Sequence, residues 1–132
     1  MSYIEFEPKY RTYTIMDREH KQLISIINRF FDEWVGNKEI KPLPYLLELA
    51  DYGQNHFDSE ERFMENNHSH NIEEHKAIHK KLMERLVEMI QRVQNGEEIT
   101  METFQFLQHW LMNHISGTDR ASYGVLGNKT HE

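Results

Sequence analysis

The chain has 132 residues, 38% of them hydrophobic, with a formal net charge of −7, no cysteine and nine histidines. That is enough apolar material for one folded domain, so intrinsic disorder is excluded. The acidic balance gives no electrostatic case for nucleic acid or for an anionic membrane, and without cysteine there are no disulfides, thiolate metal sites or Cys nucleophiles. The opening MSYIEFEPKYR lacks the apolar core of a signal peptide, and no apolar run approaches the roughly 18 residues that span a bilayer. The cytoplasm is therefore the expected location.

Residues 1–15 carry Tyr3, Phe6, Pro8, Tyr10 and Tyr13 with no helical period, which predicts an extended arm laying aromatics over a core. A first helix is expected over about 17–36. Asp17 stands as its N-cap and Gly36-Asn37 as its stop. Leu23, Ile24, Ile27, Phe30, Phe31 and Trp34 form its apolar stripe, and His20 lies on that stripe. A second helix, about 43–65, follows Pro42 and Pro44. Its inner face runs Leu46, Leu49, Gly53, His56, Glu60, Phe63, turning polar partway up. Gly53, one turn before His56, suggests a close helix–helix approach. Asn66 to His70 is a polar turn. A third helix, 72–94, opens on Asn71 with Glu74 in capping-box position and stops at Asn95-Gly96. His75, His79, Leu82, Leu86, Met89 and Val93 share its face. A fourth, about 101–116, carries Phe104, Leu107, Leu111 and His114 before Ser116-Gly117-Thr118, and 117–132 reads as a tail.

Short connections make neighbouring helices antiparallel. The expected fold is all-α: an antiparallel up-down-up-down four-helix bundle with an N-terminal arm, in one domain spanning 1–132. In that topology the start of the first helix, the end of the second, the start of the third and the end of the fourth meet in one layer. That layer holds His20, His56, Glu60, His75, His79, His114 and Asp119. His56/Glu60 and His75/His79 are i,i+4 pairs, each on one helix face. His114 and Asp119 are five apart and share a site only if the helix ends or bulges between them.

Taken singly, each histidine reads as an ordinary core or surface residue. Together, inward-facing in one layer, five imidazoles and two carboxylates read as a dinuclear metal site, since seven ligands are too many for one ion. The donor set suits iron, zinc, copper or manganese. Binding must fail in acid, because ligating histidines are neutral. His68, His70, His109 and His131 lie off the site. Asp58, Glu61, Glu73 and Glu74 read as solvated helix charges, and Met83, Met89, Met101 and Met112 as core filler. No catalytic triad spacing is present.

The pieces MDREHKQL at 16–23, HFDSEE at 56–61, HKAIH at 75–79 and WLMNHISGTD at 110–119 resemble the hemerythrin family, in particular its bacterial single-domain members. The resemblance implies a single hemerythrin-like domain with a non-haem di-iron centre that binds O2 reversibly. It implies His75, His79 and His114 on one iron and His20 and His56 on the other. Glu60 and Asp119 bridge the two, with an oxo or hydroxo group as the third bridge. Leu23, Phe57, Trp110 and Ile115 match the positions lining the family's O2 pocket. The arm has Phe6 and tyrosines where the family has a Trp, and Tyr123 stands four residues after Asp119. Imidazoles outnumber carboxylates five to two. Neutral ligands favour the reduced iron pair over the high-valent states of carboxylate-rich oxidases. The expected role is O2 transport, storage or supply by a cytoplasmic monomer that is not an enzyme. A reductase or an oxygen-using enzyme is the expected partner, with no nucleic acid or membrane. The competing readings are O2 or nitric oxide sensing and slow oxidase or peroxidase activity.

Overall fold

The computed structural model describes residues 3–4, 14–68 and 71–115. Four helices follow in chain order: α1 (Thr14–Gly36), α2 (Leu43–Asn66), α3 (Ile72–Gln94) and α4 (Met101–Asn113). No strand occurs among the described residues. No helix there is long and apolar enough to cross a membrane.

Side-chain pairs between the helices establish the antiparallel order. At one end, Glu19 near the start of α1 meets His56 and Ser59 late in α2. At the other, Phe30 stacks on Tyr45 with ring centroids 5.0 Å apart, and Arg29 reaches Glu48 at 2.6 Å. Lys76 at the start of α3 pairs with Glu65 at the end of α2 at 2.8 Å. Trp34 at the end of α1 packs against Phe104 at the start of α4, centroids 5.1 Å apart. In mid-bundle the Trp110 indole N–H donates to the Leu82 carbonyl at 2.8 Å, tying α4 to α3.

The helical stripes supply the core. Leu23, Ile24, Ile27 and Phe30 from α1 are buried with Leu46, Leu49 and Phe57 from α2, Leu86, Met89 and Ile90 from α3, and Phe104, Leu107 and Leu111 from α4. Burying a side chain of this size contributes about 1.5–3 kcal/mol. A smaller cluster of Met16 and Met64, with Phe63 and Ile72 packed against it, lies toward the other end. The polar layer thus has apolar material on both sides. Tyr3 stacks on Phe31 at 4.3 Å. Its neighbour Ile4 is clamped by Asn28, whose Oδ1 accepts the Ile4 N–H at 2.8 Å and whose Nδ2 donates to the Ile4 carbonyl at 3.0 Å. Phe6, Pro8, Tyr10 and Tyr13 lie outside the described residues.

Several local details differ from the sequence pattern. α1 starts at Thr14, so Asp17 sits inside the first turn rather than at the N-cap position, and its charge there complements the helix dipole. Asn71 flanks α3 without a side-chain cap hydrogen bond, so no capping box forms there. Thr100 is extended, and its N–H donates to Thr103 Oγ1 at 3.1 Å, a reciprocal contact at the start of α4. Gly96 closes α3 with φ of 99°, a left-handed conformation that favours glycine. Met101 is 41% exposed at the first residue of α4 and fills no core. Regular α-winding in α4 ends at Asn113, and His114 and Ile115 continue as a wider π-turn.

Gly53 is not a point of forced close approach. A Cβ built there would sit 3.6 Å from the Trp110 ring and 3.9 Å from Met83 Sδ, ordinary van der Waals contacts. Gly53→Ala is therefore expected to stabilise the protein by about 0.5–1 kcal/mol through helix propensity. Chemical denaturation checks this, and a loss of stability would show that the helices are closer than the structure has them.

Candidate metal centre

Each potential ligand is delivered by its helix for a local reason. His20 lies in the second turn of α1, three residues before the buried Leu23. His56 and Glu60 continue the buried face of Leu46, Leu49 and Gly53 on α2. His75 and His79 open the buried face that continues to Leu86 and Met89 on α3. His114 follows Leu107 and Leu111 on α4 and sits in the π-turn. All six side chains are at most 3% exposed. Asp119 lies outside the described residues.

These six residues form two groups that share one member. Ligand atoms of Glu60, His75, His79 and His114 all lie within 4.8 Å of one another, as do those of His20, His56 and Glu60. Glu60 Oε1 is 2.8 Å from His56 Nε2 and 3.4 Å from both His79 Nε2 and His114 Nε2. Its other oxygen, Oε2, is 4.0 Å from His20 Nε2. The rings pack edge to face: His75 and His79 at 4.4 Å, His75 and His114 at 5.4 Å, His20 and His56 at 4.6 Å.

Burial pushes the Glu60 carboxyl up, but the imidazoles around it, His56 first and then His114 and His79, outweigh it. The group is held well below the usual carboxylate range and stays ionised.

Two carboxylates absent from the sequence-derived set orient the imidazoles. His56 Nδ1 donates to Glu19 Oε1 at 2.7 Å, and the Ser59 hydroxyl donates to Glu19 Oε2 at 3.0 Å. His79 Nδ1 donates to Glu61 Oε2 at 2.8 Å. Glu61 is therefore not a merely solvated helix charge. A carboxylate–imidazole pair of this kind fixes the tautomer and points Nε2 inward. The signal available in the sequence was adjacency: Glu19 precedes His20 and Glu61 follows Glu60. Glu73 and Glu74 are exposed, as are His68 and His109. His70 and His131 lie outside the described residues.

The donor set can be tested against a metal on its own chemistry. Once Nδ1 donates to Glu19, a neutral His56 turns its Nε2 lone pair toward Glu60 Oε1 at 2.8 Å, acceptor facing acceptor. Only a proton or a metal ion between them makes that contact favourable. Glu60 Oε2 is buried and accepts no hydrogen bond among the described residues, an arrangement that costs free energy unless a cation is there. Nitrogen and carboxylate donors around a shared carboxylate suit a pair of divalent first-row ions, iron among them.

Of the apolar residues named from the sequence, Leu23, Phe57, Trp110 and Ile115 are all buried. Phe57 stacks on the His79 ring, centroids 4.2 Å apart and planes 12° from parallel. It meets His114 edge-on at 5.3 Å and lies 6.1 Å from Trp110. The Trp110 N–H is held by Leu82, so the indole presents only carbon toward Phe57.

Comparison with known proteins agrees with this geometry. A family model described as the hemerythrin HHE cation binding domain matches residues 11–126. The chain is 33% identical over 105 residues to a bacteriohemerythrin of Pseudomonas aeruginosa (strain LESB58), covering 80% of this chain and 69% of that protein. It is 30% identical over 105 residues to a bacteriohemerythrin of Methylococcus capsulatus, covering 79% and 80%. Among solved structures it resembles a wild-type hemerythrin with a TM-score of 0.84 at 27% identity, covering 96% of this chain and 98% of that one.

Proposed function

The chain belongs to the hemerythrin family, and from that premise we propose that it binds O2 reversibly at a pair of non-haem irons. The observation that carries the reading is the sharing of Glu60 between two buried groups of histidines. On this reading His75, His79 and His114 would hold one iron, His20 and His56 would hold the other, and Glu60, with Asp119, would serve both. An iron pair held there would supply the electrons that O2 takes up on binding and returns on release.

The chain's own residues have three tasks. The five imidazoles and Glu60 hold the ions in a buried layer. Glu60 stays ionised, so it offers an oxygen to each group. Leu23, Phe57, Trp110 and Ile115 keep an apolar wall beside the layer, which excludes water and leaves no polar side chain among these four to deliver a proton. Both features favour release of O2 unchanged over oxidation of a substrate, so the role is transport, storage or supply rather than catalysis. We place it in the cytoplasm as a monomer working alongside a reductase that keeps the iron ferrous, or an enzyme that uses the O2.

The test is optical. Iron-loaded, reduced protein under argon is expected to be nearly colourless. It should gain a visible band on exposure to O2 and lose it again under argon, over repeated cycles. Irreversible oxidation in the first cycle would favour a sensor or a slow oxidase instead.

A further inference from the structure

We propose that Glu19 and Glu61 are positioning residues with divided duties. Each fixes one histidine of a different metal group, so each governs the retention of one ion and not the other. This deepens the di-iron reading and rests on it.

The geometry supports the division. Among the described histidines Glu61 hydrogen-bonds only to His79, and His79 belongs to the group of Glu60, His75 and His114. Glu19 hydrogen-bonds to His56, which belongs to the group of His20 and Glu60. The two carboxylates sit on different helices, α1 and α2, and neither is itself in a ligand group. Both are about a fifth exposed, at 22% and 23%, so they lie at the rim of the layer while the imidazoles they hold are buried.

Ionised carboxylate only accepts hydrogen bonds, so Nδ1 must carry the proton in both pairs. A neutral imidazole has one N–H, which leaves Nε2 as the lone-pair nitrogen facing the centre. The carboxylate also makes that nitrogen more basic. Loss of such a partner typically costs 10–100-fold in metal affinity. Glu19 is further steadied by the Ser59 hydroxyl, whereas His79 is steadied from its other side by the stacked Phe57 ring.

The experiment measures iron release, not O2 binding. Protein loaded with ferrous iron under argon is challenged with a chelator, and iron per chain is followed with time. Wild type is expected to lose both ions slowly. Glu61→Gln is expected to lose one ion 10–100-fold faster and the other at close to the wild-type rate. Glu19→Gln should behave alike, and the double variant should lose both ions fast.

The ions are told apart in a His75→Ala background, which lacks the ion of the His79 group. There, adding Glu61→Gln should change nothing, while adding Glu19→Gln should speed release of the remaining ion. Ser59→Ala should act on the same ion as Glu19→Gln, more weakly. The melting temperatures of the metal-free variants should match wild type, and the exposed Glu73→Gln should release iron as wild type does. Acceleration of both ions by either single change, of neither, or equally by Glu73→Gln would overturn the proposal. A wild type that holds two irons but fails to cycle O2 would sink the O2 reading and leave this inference standing. A wild type that takes up no metal would sink both.

Discussion

Glu60→Ala is expected to empty the centre of both ions, taking iron content from two per chain to near zero. No other substitution among the described members of the two groups should do this. His75→Ala removes a member of one group only, so it should leave the His20–His56 ion largely in place. The difference follows from position: Glu60 is the one described residue common to both groups, with Oε1 toward His56, His79 and His114 and Oε2 toward His20. His68→Ala and His109→Ala, both at exposed positions, should keep two irons. The measurement is metal analysis on purified, folded protein, with helical content checked by circular dichroism. Retention of one iron by Glu60→Ala would show that the two groups do not depend on a common bridge.

Phe104→Ala is expected to cost about 3–5 kcal/mol of stability, the usual range for emptying a fully buried aromatic site. Phe104 is 0% exposed and joins α4 to the end of α1. It packs against Phe30 at 4.8 Å, Phe31 at 5.1 Å, Trp34 at 5.1 Å and Tyr3 at 6.3 Å. No single neighbour can fill the void, because Phe30 is itself pinned against Tyr45 and Phe31 against Tyr3. Denaturant unfolding of the metal-free protein reads the loss. At temperatures where the variant is still folded, its iron content should remain two per chain, since this cluster is at the end of the bundle away from the histidines. A loss below about 1 kcal/mol would mean the cluster repacks around the gap.

These two outcomes separate the parts of the molecule by their physical origin. The aromatic end and the aliphatic middle supply the folding free energy, and the polar layer spends some of it. Six buried polar side chains in one layer are costly in a metal-free chain. Metal-loaded protein should accordingly be more stable than metal-free protein, as for any ligand that binds only the folded state.

The bundle was legible because its stripes are long and regular. Leu23, Ile24, Ile27 and Phe30 repeat at helical spacing, and Leu46, Leu49 and Leu107, Leu111 do the same. The polar layer was legible because antiparallel order converts positions far apart in sequence into one height in the bundle. His20, His56, Glu60, His75, His79 and His114 meet there as that rule requires.

What the pattern hid were partners without periodicity. Glu19 finds His56 across 37 residues and Glu61 finds His79 across 18, and nothing in the spacing of either names its target. Helix ends were hidden for a related reason. Asn71 has the right side chain for a cap, but its backbone conformation, φ −108° and ψ 23°, accompanies no side-chain cap bond, while extended Thr100 is met by Thr103. Gly53 invited a packing role because small residues often have one; here the neighbouring Trp110 and Met83 stand far enough away to admit a methyl group. The spacing also does not foretell Ile4, a residue of the buried cluster held to α1 by the two hydrogen bonds of Asn28.

Glu60 is expected to lie between two metal ions held by separate sets of histidines, and anomalous diffraction at the iron edge from crystals of the iron-loaded protein shows whether it does. Two peaks per chain are expected with Glu60 between them, one beside His75, His79 and His114 and the other beside His20 and His56. A single peak, or two peaks on the same side of Glu60, would rule out a shared carboxylate.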